Sequence, residues 1–256
     1  MAWLGLGLIL LATLPTDAAP EPEPEPTGKP PATVDAKAAV DPAKLAGSAA
    51  LQATDATNRV TSAKNLEKLA AGVHDFAADA NFIFAPDVEG KGKQLLSWRV
   101  RLLPYLGEKA LFDKFKLDQP WDGKHNLALL DKMPEVFESP RVTVKRKGYT
   151  VYQVFSGPGA LYEAGKTRYK LGNVPDGTSH TILIVESSKA VPWTKPADLP
   201  YDKAKPIPDF GKAFGGKPLC AMADGSSRVL DLKKITTDTL RNAICPDDGN
   251  ALGADW

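Results

Sequence analysis

The sequence predicts an α+β fold in which one amphipathic helix packs across an antiparallel sheet. Three observations carry this. Apolar residues recur at three- and four-residue spacing between Thr57 and Ala80, the run TILIVES from Thr181 to Ser187 is almost wholly apolar, and Asp224-Gly225 separates two apolar segments near the C-terminus. A helix followed by several strands with hairpin connections is the α+β pattern, and irregular loops are expected between the elements.

The chain opens on an uncharged apolar run, Trp3 to Leu14, followed by the small residues Ala18 and Ala19. This pattern predicts an export signal over residues 1–19 and a periplasmic, cell-surface or extracellular location. The run is shorter than the about 20 apolar residues that cross a bilayer, so no stable transmembrane span is expected. Residues 20–40 begin PEPEPEPTGKPP, whose alternating proline and glutamate favour an extended spacer with no core. Residues 41–256 are the predicted folded domain.

Within that domain Asp41 can cap a helix, Pro42 suits its first turn, and an Ala-rich stretch runs to about Ala50. Gly47 and the polar run TDATN leave open whether this piece continues into the next helix. From Thr57, the residues Val60, Leu66, Leu69, Val73, Phe76, Ala77 and Ala80 form one apolar face. Short helices are expected around Trp98 to Phe115. Val142 to Val154 reads as two short strands about Gly148, and TILIVES reads as a central strand. Asp224-Gly225 predicts an antiparallel hairpin with a two-residue loop. Thr236 or Thr237 can cap a last helix holding Leu240 and Ile244, which should stop before Pro246.

Composition narrows the function classes. The chain has 256 residues, of which 43% are hydrophobic, enough for a packed core. Its 32 Lys and Arg against 31 Asp and Glu leave a net charge of +1, so no global field draws nucleic acid or an anionic membrane. There is no GxGxxG motif, no P-loop and no nucleophile elbow around Ser179-His180. The three histidines, His74, His125 and His180, lie in separate segments without metal-ligand spacing, so no metal centre and no cofactor are expected.

Four residues remain as a candidate ligand or partner surface. Trp193 and Tyr201 lie in the proline-rich segment VPWTKPADLPYD and could act as stacking platforms. Asp247 and Asp248, ahead of Gly249-Asn250, could offer oxygen ligands to calcium, although the sequence lacks the D-x-[DN]-x-[DN]-G pattern and a solvated turn is the competing reading. Cys220 and Cys245 permit one disulfide in an oxidising compartment, or stand as two unpaired small apolar side chains.

Five segments, SAKNLEKLAAGVHDF, SWRVRLLPYLGEKALFDKF, QPWDGKHNLALLDKMPEVFESP, DGTSHTILIVESSKAVPWTKPADLPYD and MADGSSRVL, occur in this order. Together they resemble the planctomycete-type proteins grouped as domain of unknown function 1559, from about Thr61 to Leu252. The resemblance implies a pilin-like head and a place at or beyond the cell envelope. Two departures stand out: there is no prepilin cleavage motif, and Phe214 occupies the place of the histidine in the family's His-x9-Asp-Gly motif. The function expected is that of a noncatalytic structural or protein-interaction module of the cell envelope, with an unidentified protein partner. The alternative is a small-solute or carbohydrate binding module.

Overall fold

Pro42 opens a continuous 39-residue helix, α1 (Pro42–Ala80), in the computed structural model of the chain. The structure describes residues 42–84, 95–163 and 169–256. The expected signal (1–19), the spacer (20–40) and the Asp41 cap lie outside the described residues. The polar run that left continuity open is accommodated within the helix. Thr54, Thr57 and Thr61 each donate a hydroxyl hydrogen bond to the carbonyl four residues back, and Arg59 bridges Asp55 at 3.0 Å.

Among the described side chains of α1, from residue 50 onward, those built into the core begin at Ser62. Leu66, Leu69, Ala70 and Val73 are fully buried and Ala77 nearly so, whereas residues 50–57 are exposed. Val60, expected on the buried face, is instead 56% exposed, because burial begins two residues later at Ser62.

Short helices follow, as expected up to Phe115: α2 (Trp98–Arg101), a 3-10 turn at Leu103–Leu106 and α3 (Lys109–Phe112); a further one, α4 (Lys124–Leu127), lies beyond the expected segment. Ser97 caps α2 by accepting from the Arg99 amide. The Leu103–Leu106 turn lies close on α1 because Gly72 has no side chain: a Cβ there would sit 2.8 Å from Leu106.

Six strands follow: β1 (Tyr149–Gln153), β2 (Phe155–Ser156), β3 (Ile182–Pro192), β4 (Leu199–Pro200), β5 (Leu219–Met222) and β6 (Ser227–Val229). The main sheet is antiparallel with order β1-β3-β5-β6, so the TILIVES strand is internal, as its composition predicts. β2 and β4 form a separate parallel pair. Residues Val142 to Lys147 do not form the expected strand. The backbone enters the sheet only at Tyr149, after Gly148 turns it at φ +71°, and the valines before it pack by side chains alone.

The sheet is buried on both faces at β5 and the first half of β3, while the edge strand β6 is largely exposed. Leu219 and Ala221 of β5 join α1 in one apolar cluster, while Cys220 and Met222 join the last helix, α5 (Thr237–Ile244), in another. This alternation follows from the two-residue period of a strand. In β3 the adjacent Leu183 and Ile184 share the α1 cluster, because a register shift falls between Ile182 and Ile184.

Asp224-Gly225 does make a hairpin, with a three-residue loop in place of the expected two. Gly225 N–H donates to the Met222 carbonyl and Met222 N–H to the Ser226 carbonyl, with Gly225 at φ +91°. This is a turn completed by a glycine bulge. Thr236 caps α5 by accepting from the Thr239 amide, and the helix ends at Ile244, ahead of Pro246.

Candidate functional site

The four candidate surface residues do not form one surface, although Tyr201 and Asp248 line the same hollow. Trp193 is fully buried, stacked on Phe137 with ring centroids 5.7 Å apart and edge-on to Phe115, and its indole N–H donates to the Leu130 carbonyl at 2.9 Å. Its ring is therefore core, not a stacking platform: β3 ends at Pro192 and turns the next side chain inward. Tyr201 is also buried, in the cluster on the other side of the sheet, edge-on to Phe155. Its hydroxyl lies 3.1 Å from Cys245 Sγ at the inner wall of an open hollow of about 430 Å³. Asp248 lines the same hollow.

The aspartates are held in a turn. Tyr169 donates its hydroxyl to Asp247 at 2.6 Å, Asn250 N–H donates to Asp248 at 2.9 Å, and Asp176 accepts from the amides of Asp248 and Gly249. Among the described residues no group of three or more His, Cys, Asp or Glu side chains is arranged to hold a metal ion. Each histidine ring instead hydrogen-bonds a backbone carbonyl: His74 to Ala223, His125 to Lys114 and His180 to Asp176. Cys220 and Cys245 are both buried and unbonded. Burial pushes the Cys220 thiol up to about 12, so no thiolate nucleophile forms there.

Polar residues that the sequence reading passed over form the most connected network, at the junction of α1 with the sheet. Glu186 on β3 is fully buried. Its Oε1 accepts from Ser62 at 2.6 Å and Ser139 at 3.1 Å, and its Oε2 from the Leu219 amide at 2.8 Å and from Arg141. The Tyr152 hydroxyl lies 2.8 Å from Ser62, and burial, with a smaller contribution from the Glu186 charge, pushes it up to about 12. A signal for this centre was present: a glutamate inside the apolar run ILIVES needs partners when buried.

A second buried pair joins Arg99 and Asp198 at 2.7 Å. Arg99 also donates to the Tyr152 carbonyl, and Asp198 accepts from Trp98 and from the Val154 amide. Burial holds the Asp198 carboxyl above its usual range despite the Arg99 charge. Both networks hold elements together. The Glu186 and Asp198 carboxylates each already accept from several donors.

The exposed surface is most distinctive on α1. Leu51 is 74% exposed and Val60 56%, the two most exposed large apolar side chains among the described residues. Leu51, Asp55 and Arg59 form one row at four-residue spacing, and Gln52, Ala56 and Val60 the adjacent row.

Comparison with known families matches residues 52–206, more than half of the chain, to the family described as protein of unknown function (DUF1559). The match takes in four of the five segments quoted above and ends before MADGSSRVL. No curated protein and no solved structure matches the chain. The helix, the strand TILIVES and the buried Arg141, Arg99, Glu186 and Asp198 all lie wholly or largely within the matched span, and the chain belongs to the DUF1559 family of proteins of unknown function.

Proposed function

We propose that this protein is a noncatalytic interaction module that acts in the cell envelope or outside the cell, and that the exposed part of α1 is its contact surface. The observation that carries the reading is the division of one helix. Residues from Ser62 onward pack on the sheet, while the continuous turns before it hold Leu51 and Val60 in solvent. Long helices gain most of their stability from packing an apolar face, so a helix that extends with two large apolar side chains uncovered is suited to a partner. Export is supported by the apolar run Trp3–Leu14 with Ala18-Ala19 after it, and a pilin-like role by the family resemblance and by the helix reaching past the head.

The partner proposed is a second copy of the chain. Asp55 and Arg59 carry opposite charges four residues apart, so two antiparallel copies of this row set each Asp55 against the other copy's Arg59. Light scattering on the full chain across concentration tests this. The wild type should move from monomer to dimer as concentration rises. Leu51→Asp with Val60→Asp should stay monomeric with an unchanged melting temperature. Asp55→Arg should weaken the dimer, and adding Arg59→Asp should restore it. A strictly monomeric wild type, or a dimer indifferent to these changes, rejects the reading.

A further inference from the structure

Beside the Arg141–Glu186 pair lies an open groove of about 670 Å³, bounded by the 141–146 loop, Tyr149 of β1, Ser188 of β3 and Ala213. Its volume is in the range of small-molecule sites. We propose that this groove binds a short acidic saccharide, a role separate from the α1 contact surface.

The charge of the groove carries the first part of the case. Arg141, Lys145 and Arg146 line it and no carboxylate does, in a chain whose total charge is almost balanced. The nearest acidic neighbour on the same loop, Glu138, lines an adjoining smaller hollow of about 200 Å³ that shares Lys145, Arg146 and Tyr149 with the groove. Arg141 is 4% exposed and anchored from behind by Glu186 and by the Lys217 carbonyl, and it lies over the Phe214 ring at 5.0 Å. It is a fixed cation at the groove wall. Lys145 and Arg146 are exposed and reach the groove from the loop.

The shape supplies the second part. Tyr149 is half-buried, with the Arg146 guanidinium 5.7 Å from its ring centre. An aromatic ring beside guanidinium donors suits a ligand with a flat apolar face and carboxylates at its edge, and Ser188 adds a hydroxyl. A sugar acid has both features, and the groove's volume of about 670 Å³ is in the range of drug-sized ligands. The Phe214 ring packs under Arg141 and steadies the site.

Calorimetric titration of the full chain with trigalacturonate, against the neutral galactose trisaccharide, tests the proposal. Saturable binding of the acidic probe is expected, weakening as salt rises, with little heat from the neutral one. Lys145→Ala with Arg146→Ala should reduce affinity about tenfold or more while leaving the melting temperature unchanged, since both side chains are exposed. Leu51→Asp should bind normally, which separates this site from the α1 surface. No saturable binding at millimolar probe, equal binding of the neutral sugar, or an unaffected double variant would each overturn it.

Discussion

Arg141 and Glu186 form a buried ion pair that joins the loop after Ser139 to the central strand β3, with side chains 4% and 0% exposed. The carboxylate is satisfied on every side, by Ser62 from α1, Ser139, the Leu219 amide of β5 and Arg141 itself. A single charge thus registers the long helix, two strands and a loop against one another. Burying a charge is tolerable only with such a full complement of partners.

Breaking this pair on one side should therefore cost far more than a surface substitution. Glu186→Ala is expected to destabilise the fold by about 3–5 kcal/mol, because it leaves the Arg141 guanidinium buried and unpaired. The double variant with Arg141→Ala should cost clearly less than the sum of the two single changes. Urea unfolding of the four proteins reads out the coupling, and strict additivity would mean the pair contributes nothing as a unit.

Alkaline pH should unfold the protein through three buried protons. Tyr152, Tyr201 and Cys220 are each pushed up to about 12 in the folded state, chiefly by burial. Their unfolded values are about 10 for tyrosine and about 8.5 for cysteine. A group whose folded value is raised contributes stability that is complete below its unfolded value and is lost as pH climbs to the folded one. The melting temperature should accordingly hold up to about pH 8 and fall steadily between about pH 8.5 and 12. Tyr152→Phe should flatten part of that fall, as differential scanning calorimetry across the range would show.

Both thiols should be free and shielded. Cys220 packs against Met222 Sδ at 3.7 Å deep in the cluster beneath α5, and Cys245, 2% exposed, lies against the Tyr201 hydroxyl at the inner wall of the open hollow. A thiol reagent should react slowly with the native chain and should titrate two cysteines after unfolding in denaturant without reductant. Loss of both reactive thiols under those conditions would reveal a disulfide instead.

Gly148→Ala should be poorly tolerated. Its backbone has φ +71°, and an added Cβ would fall 2.3 Å from the Leu130 carbonyl oxygen, the same atom that accepts the Trp193 indole proton. The backbone strain alone is worth about 1–3 kcal/mol. A larger loss is expected, visible as a lower denaturation midpoint together with a change in tryptophan fluorescence, because the indole is displaced too.

Much of the architecture was legible from local pattern. The three- and four-residue spacing of Leu66, Leu69 and Val73, the apolar run of β3, the Thr236 cap and the Asp224-Gly225 turn are each specified by neighbouring residues, and all formed at those positions, the hairpin with one loop residue more than expected. The candidate site was less legible. Trp193 and Tyr201 have the composition of a recognition loop, yet whether an aromatic ring faces solvent or core depends on what the remote Phe137, Phe115 and Phe155 offer it.

By itself, then, the sequence determined the α+β class, the central strand, the hairpin, the last helix and the family, because these rest on short-range periodicity, capping and ordered motifs. Only the tertiary structure decided which half of α1 is buried, that Glu186 finds Ser62, Ser139 and Arg141, and that Arg99 finds Asp198. Those contacts join residues 45 to 124 positions apart. Periodicity has no reach over such separations, and the partner of a buried charge is chosen by the packing that removes it from water.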